Sequence, residues 1–214
     1  MKKFLLTLTA VAGLTAASQA QEFGFEKGNF IVEGNFNSSN TNNKNTKEKN
    51  STFNFNPKAG YFVTDKIAVG VDFGFGQEKN TTVNATTDVK TIKTDKNFGV
   101  GAFGRYYFLE VGSRFKTYTE VGVGYANTKA GETKVGDVKT DAVKVNGFGA
   151  NAGIGANFFL TEKIAVNFAF ANVISYGSAK ADLDGAKAST AFNTNVNVFN
   201  NFFDNATFGL TFKF

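Results

Sequence analysis

The stretch Ile67-Ala68-Val69-Gly70-Val71-Asp72-Phe73-Gly74-Phe75-Gly76 decides the fold. Its large apolar residues all occupy odd positions, and its small residues, with the single acid Asp72, all occupy even ones. Successive side chains of a β-strand point to opposite faces, so the stretch reads as a strand with one bulky face and one small face; a 3.6-residue period would mix the two sets. The same alternation runs through Phe30-Ile31-Val32-Glu33-Gly34-Asn35-Phe36. It returns in residues 53–61, 98–108, 115–125, 148–160, 164–176 and 208–214. β-Branched and aromatic residues fill these windows, and none shows a helical period, so eight strands are predicted.

Connections between the strands alternate in length. Residues 64–66, 109–114 and 161–163 are short links, whereas residues 38–51, 77–97, 129–144 and 177–190 are long and polar. One end of the strand array then carries tight turns and the other carries loops, an asymmetry typical of transmembrane barrels with short periplasmic turns and long extracellular loops. Residues 37–50, rich in Asn, Ser, Thr and Lys, bury no apolar surface and are expected to form a mobile loop. Tyr61-Phe62-Val63-Thr64-Asp65-Lys66-Ile67-Ala68-Val69 is echoed by Phe158-Phe159-Leu160-Thr161-Glu162-Lys163-Ile164-Ala165-Val166, which predicts two hairpins with one turn chemistry.

Steric bulk decides which face is inside. An eight-stranded barrel is only just wide enough for side chains to fill it. The small face fits that bore, whereas the face rich in Phe, Ile, Val and Tyr belongs outside. Exposed to water, it would far exceed the apolar patch a soluble protein tolerates; against acyl chains it is matched. A closed sheet also pairs the backbone groups, as the bilayer interior demands. The fold class expected is therefore all-β: an eight-stranded antiparallel up-and-down transmembrane β-barrel, with three short periplasmic turns and four long extracellular loops.

Composition removes most catalytic readings. The 214 residues include no Cys and no His, so thiolate metal sites, disulfides and every nucleophile–histidine pair are excluded. Lys2, Lys3 and the apolar run from Phe4 to Leu14 precede Ser18-Gln19-Ala20, the pattern of a cleavable signal peptide, and the run is too short for a membrane anchor. Residues 1–20 are read as that signal and residues 21–214 as the barrel domain. Without the signal the net charge falls from +5 to +3, spread along the chain with no basic block, so no nucleic-acid partner is expected.

Three motifs give way to simpler readings. Gly99, Gly101 and Gly104 spell the dinucleotide fingerprint, but Arg105-Tyr106-Tyr107-Phe108 continues a strand where that fingerprint needs a helix. The Asn-x-Ser/Thr triplets follow from an Asn- and Thr-rich composition. Asp182-Leu183-Asp184-Gly185 lacks the further ligands of a calcium loop and reads as a turn. No cofactor and no metal is expected.

The inward face also carries three acids, Glu33, Asp72 and Glu120, and three bases, Lys58, Arg105 and Lys116, whose charges cancel. A charge removed from water must be paired, so the six are expected to form a salt-bridge network plugging the lumen, with Arg105 and Glu120 as its central pair. The alternative is a gate, in which exchange of ion pairs admits water and small ions. Small residues on this face, Gly70, Gly74, Gly99 and Gly101 among them, leave space for narrow pockets but not for a wide pore.

The end of the chain, Phe208-Gly209-Leu210-Thr211-Phe212-Lys213-Phe214, resembles the closing strand of bacterial outer-membrane barrels. Phe103-Gly104-Arg105-Tyr106-Tyr107-Phe108 and Gly60-Tyr61-Phe62-Val63-Thr64-Asp65-Lys66 are similar to segments of the small porin-like outer-membrane β-barrel proteins of Bacteroidetes. The architecture resembles the OmpA transmembrane domain and OmpX. This resemblance spans the mature chain and implies a place in the bacterial outer membrane. It implies an assembly signal at Phe208, Leu210, Phe212 and Phe214, read by the barrel-assembly machinery, and outer-membrane lipid and lipopolysaccharide as surroundings of a monomer. The chain departs from the pattern in having no Trp for the aromatic girdles and no peptidoglycan-binding domain after the barrel. Residues 191–214 exceed one membrane strand, so an extension with a bulge near residues 200–205 is expected. The functions left are a structural or surface-interaction barrel and, as the alternative, a narrow channel for water or small solutes. An enzyme is not expected, because the barrel enzymes that the resemblance brings into view rely on a histidine.

Overall fold

The computed structural model describes residues 23–84, 86–194 and 207–214. Ten strand segments follow one another: β1 (Phe30–Asn43), β2 (Glu48–Phe62), β3 (Ile67–Val83), β4 (Lys90–Val111), β5 (Phe115–Val135), β6 (Val138–Thr140), β7 (Val143–Phe159), β8 (Ile164–Ala181), β9 (Ser189–Thr194) and β10 (Thr207–Lys213). All pairings are antiparallel, and β10 bonds both β1 and β8, which closes the sheet on itself. The segment β9 continues along the far part of β8, and β6 is a short return on β5, so the ring has eight staves. This is the barrel expected from the alternation. The expected signal segment and the bulge expected near residues 200–205 lie outside the described residues.

The facing of the wall follows steric bulk. Along β3, Val69, Val71, Phe73 and Phe75 are exposed on the outer face, while Ala68, Gly70, Asp72, Gly74 and Gly76 turn inward. Phe36 and Phe148, at 64% and 69% exposure, stand out from the wall as only a lipid-facing residue can without penalty. Where the chain turns back, the echoed sequence gives an echoed geometry. The Thr64 hydroxyl accepts the amides of Lys66 and Ile67, and the Thr161 hydroxyl accepts those of Lys163 and Ile164. The start of β1 meets the last residue at this short-turn end, where Phe30 and Phe214 exchange two backbone hydrogen bonds of 3.0 and 2.8 Å.

Two expectations are corrected. The polar segments read as long loops are mostly paired arms of the barrel: Asn43 sits opposite Glu48, and Val83 opposite Lys90, so residues 44–47 and 84–89 are all that remains of two loops. Residues 37–50 are therefore chiefly strand. Low apolar content reports that a segment is not buried, but the ladder needs only N–H and C=O groups, and Thr suits a strand wherever it sits. The Asn43 and Asn84 side chains cap the tips by accepting the amides of residues two and three positions on.

The inner face is also less uniformly small than the pattern implied. Ile31, Phe62, Phe103, Tyr107, Tyr118 and Phe159 all point inward and are buried. Glycines across the bore make the room. A Cβ on Gly155 would fall 2.3 Å from the Tyr118 ring, and one on Gly70 would fall 2.7 Å from the Phe103 ring.

Candidate functional site in the barrel lumen

Arg105 is the centre of the lumen. It is inward on β4, 2% exposed, and its guanidinium faces two carboxylates at once. NH1 and NH2 donate to the two Glu33 oxygens at 2.7 and 2.8 Å, while Nε and NH2 donate to Glu120 Oε2 at 3.0 and 2.6 Å. The planar fork of arginine suits this bidentate geometry. The Tyr118 ring lies under the guanidinium, 3.9 Å from its carbon. Lys58 bonds the other Glu120 oxygen and also stands 5.0 Å from the Phe103 ring. Two acids and two bases thus form one compensated cluster.

Neutral groups tie this cluster to the rest of the wall. Tyr107 accepts from Arg105 and donates to Asn157; Asn157 donates to Thr211, and Thr211 donates to Glu33. The Asn167 amide donates to Tyr118 at 3.0 Å and to Glu33 at 3.4 Å. Staves β1, β4, β5, β7, β8 and β10 therefore meet in a single hydrogen-bonded layer, and this layer satisfies carboxylate oxygens that would be costly if left bare.

Of the six charges singled out in the sequence, four come together and two do not. Asp72 is directly opposite Lys58 in register, yet among the described residues it makes no salt bridge, because the Lys58 ammonium turns to Glu120. Lys116 pairs at 2.6 Å with Glu110, nearer the short-turn end. The three glycines of the fingerprint lie on β4, with Gly101 packed under the Asp72 carboxylate. The C-terminal quartet Phe208, Leu210, Phe212 and Phe214 is exposed on the outer wall. Phe208 stands edge-on to Phe168, with 5.5 Å between ring centres.

A second layer went unseen in the sequence. The segment before β1 folds back into the short-turn end, where Phe25 stacks on Phe62 at 4.4 Å and touches Tyr107 and Phe159 at 4.9 and 5.0 Å. Phe23 lies against Phe159 and under the Arg114 guanidinium. The segment is pinned by three bonds: Lys213 Nζ donates to the Gly24 carbonyl, the Lys27 amide donates to Asp65, and the Gly28 amide donates to the Phe62 carbonyl. Gly28 has φ +97°, a backbone conformation that other residues rarely adopt. The signal available was the pair Phe23 and Phe25 next to two glycines, but with no period to place it.

Above the ion cluster, toward the long arms, the bore opens. A cavity of about 270 Å³ is floored by Arg105, Glu33 and Glu120 and walled by Asn35, Asn56 and Asn151. A wider space of about 830 Å³ continues past Asp72, Gly99, Gly101 and Gly124.

Comparison with known proteins agrees with this architecture. The family model described as outer membrane protein beta-barrel domain matches residues 6–214. Among solved structures, the outer membrane protein OprG from Pseudomonas aeruginosa is similar at 17% identity and a TM-score of 0.52, over 91% of this chain and 99% of that one. The N-terminal β-barrel domain of Pseudomonas aeruginosa OprF shares 14% identity over 88% of this chain and 98% of that one, with a TM-score of 0.45. The Neisserial surface protein A shares 15% over 88% and 100%, with a TM-score of 0.46. No curated protein matches the sequence. With its closed ring, its lipid-facing wall and a family match over nearly its whole length, the chain belongs to the outer membrane protein beta-barrel domain family and resides in the bacterial outer membrane.

Proposed function

We propose that this barrel is a structural and surface-interaction protein whose lumen is blocked, and not an open pore. The observation that carries this reading is the Glu33–Arg105–Glu120 chain. Its two acids stand on β1 and β5, on opposite sides of the eight-stave ring, so hydrogen-bonded ions reach across the whole bore. A passing ion would have to separate buried paired charges and then enter the aromatic layer below them, and both steps are unfavourable. Contact with the surroundings then falls to the outer wall and the polar hairpin tips. A catalytic step has no place in this reading, since the chain has neither histidine nor cysteine. The protein acts as a monomer in lipid and lipopolysaccharide, and the barrel-assembly machinery reads its C-terminal quartet.

Purified protein in planar lipid bilayers is expected to give no steady, discrete current steps; regular steps would overturn the blocked-lumen reading. They would favour a narrow channel for water or small solutes, the second reading, to which the space above the ion cluster lends support. The assembly reading has its own test. Phe214→Ala keeps both backbone bonds to Phe30 and removes only an exposed ring. It is expected to lower the amount of heat-modifiable protein in the outer membrane severalfold while leaving refolding yield in detergent unchanged. Equal amounts in cells would count against it.

A further inference from the structure

The outer wall of β4, β5 and β7 carries a feature that the blocked lumen does not use. One outward row around the barrel reads Ser38, Phe53, Gln77, Lys96, Lys129, Lys144, each directly opposite the next. Three lysines are thus cross-strand neighbours, on staves spaced about 4.8 Å apart. Like charges placed so are destabilising. All three are exposed, and none takes part in a salt bridge among the described residues. Two acids adjoin the row without forming a salt bridge to it among the described residues: Asp182, whose backbone amide donates to the Lys144 carbonyl, and Asp95, whose carboxylate accepts the Gly131 amide.

What lies below the row on the same staves is independent of its charge. The next residues toward mid-membrane are Asn127 and Asn146, and the Tyr125 hydroxyl and the Asn127 amide both donate to Asn146 Oδ1 at 2.6 and 2.7 Å. Tyr125 thus points its polar tip up and its ring down, as an interfacial tyrosine does. Beneath, two contiguous furrows of about 540 and 520 Å³ run down the lipid face. Their floor is Ala102 and Gly104 on β4 and Ala150 and Ala152 on β7, divided by the Val121 and Val123 side chains of β5, with Phe148 and Tyr176 also in the lining. Cations, then hydrogen-bonding groups, then a furrow as deep as the missing side chains make a vertical sequence that matches one kind of molecule.

We propose that this wall is a docking site for a phosphorylated, multiply acylated lipid of the outer leaflet, the lipid A part of lipopolysaccharide. Its phosphates sit on Lys96, Lys129 and Lys144, and an acyl chain lies in the furrow below. The long-arm end of such barrels faces outward, so the lysines stand at the level of that leaflet's headgroups. The inference rests on the lipopolysaccharide surroundings proposed above, to which it gives a site, and is independent of whether the lumen is blocked.

The test titrates refolded protein in detergent with diphosphoryl lipid A, counting adducts by native mass spectrometry. Each surface lysine facing anionic lipid is worth about a fivefold change in binding, so K96Q/K129Q/K144Q is expected to weaken lipid A by at least about tenfold after screening. K44Q/K49Q/K90Q removes the same charge from exposed lysines at the hairpin tips away from the row and is expected to leave binding close to that of the parent. Ala150→Phe fills the furrow, leaves every lysine in place and is expected to weaken lipid A as well. Equal losses in the two lysine triples would overturn the site, because binding would then follow net charge alone. Unchanged binding by Ala150→Phe would overturn the acyl furrow. Inorganic pyrophosphate is expected to bind far more weakly than lipid A; equal affinity would mean a free-anion site and would overturn the lipid assignment.

Discussion

Arg105→Ala is expected to lower the stability of the barrel by about 3–5 kcal/mol, read as a shift of the denaturant midpoint for unfolding from lipid vesicles. The size follows from what is left behind. Glu33 would keep only neutral donors, Thr211 and Asn167, and Glu120 would keep only Lys58. Removing one partner of a buried pair leaves a bare charge, and that desolvated charge, more than the lost attraction, makes the substitution costly. Tyr118 would lose its stacked cation as well. Arg105→Lys is expected to fall between the parent and the alanine variant, since an ammonium cannot chelate two carboxylates on different staves as the guanidinium fork does. The double variant Arg105→Met with Glu33→Gln is expected to recover more than half of the loss. It removes the stranded charge on one side, while Lys58 still covers Glu120 on the other. An alanine variant with the parent's midpoint would reject this account of the lumen.

What the sequence displayed and what it hid divide along a physical line. Alternation in residues 67–76 reports facing, because facing has a period of two and survives any detail of the ring. The pair Arg105–Glu120 was also within reach, since the two residues are direct cross-strand neighbours. Glu33 was legible as inward but not as a ligand of Arg105, because that contact crosses the bore and depends on how the staves are staggered. Lys58 shows the same limit: its register neighbours are Glu33 and Asp72, yet it bonds Glu120. Lys116 found Glu110 because a bulge between Tyr107 and Leu109 carries β4 onward through residues expected to be a turn. The polar arms were misjudged because composition measures burial and not backbone pairing. The plug was invisible because the segment before β1 has no repeat, and its two phenylalanines acquire meaning only once Phe62, Tyr107 and Phe159 are seen to share one end of the bore.

Phe25→Ala is expected to cost about 3 kcal/mol, the low end for a buried Phe→Ala change, because the hole opens to the water at the short-turn mouth and need not stay empty. Stability alone would not separate a plug from ordinary packing, so the decisive readout is access. The parent chain contains no cysteine, and Ala68 is fully buried and inward within the same aromatic cluster. A thiol placed there by Ala68→Cys is expected to react slowly with a water-soluble maleimide in the parent background and at least tenfold faster once Phe25 is alanine. The rate follows the fraction of time that the mouth is open, and a loss of about 1.4 kcal/mol in closing is already a tenfold change in that fraction. Equal labelling rates would mean that Phe62, Tyr107 and Phe159 seal the end without help from the segment before β1. Because the ion cluster lies above this layer, the single Phe25 variant is also expected to remain silent in planar bilayers. On the blocked-lumen reading two barriers stand in series, one of paired ions and one of packed rings, so steady current is expected only from a variant that lacks both Arg105 and Phe25.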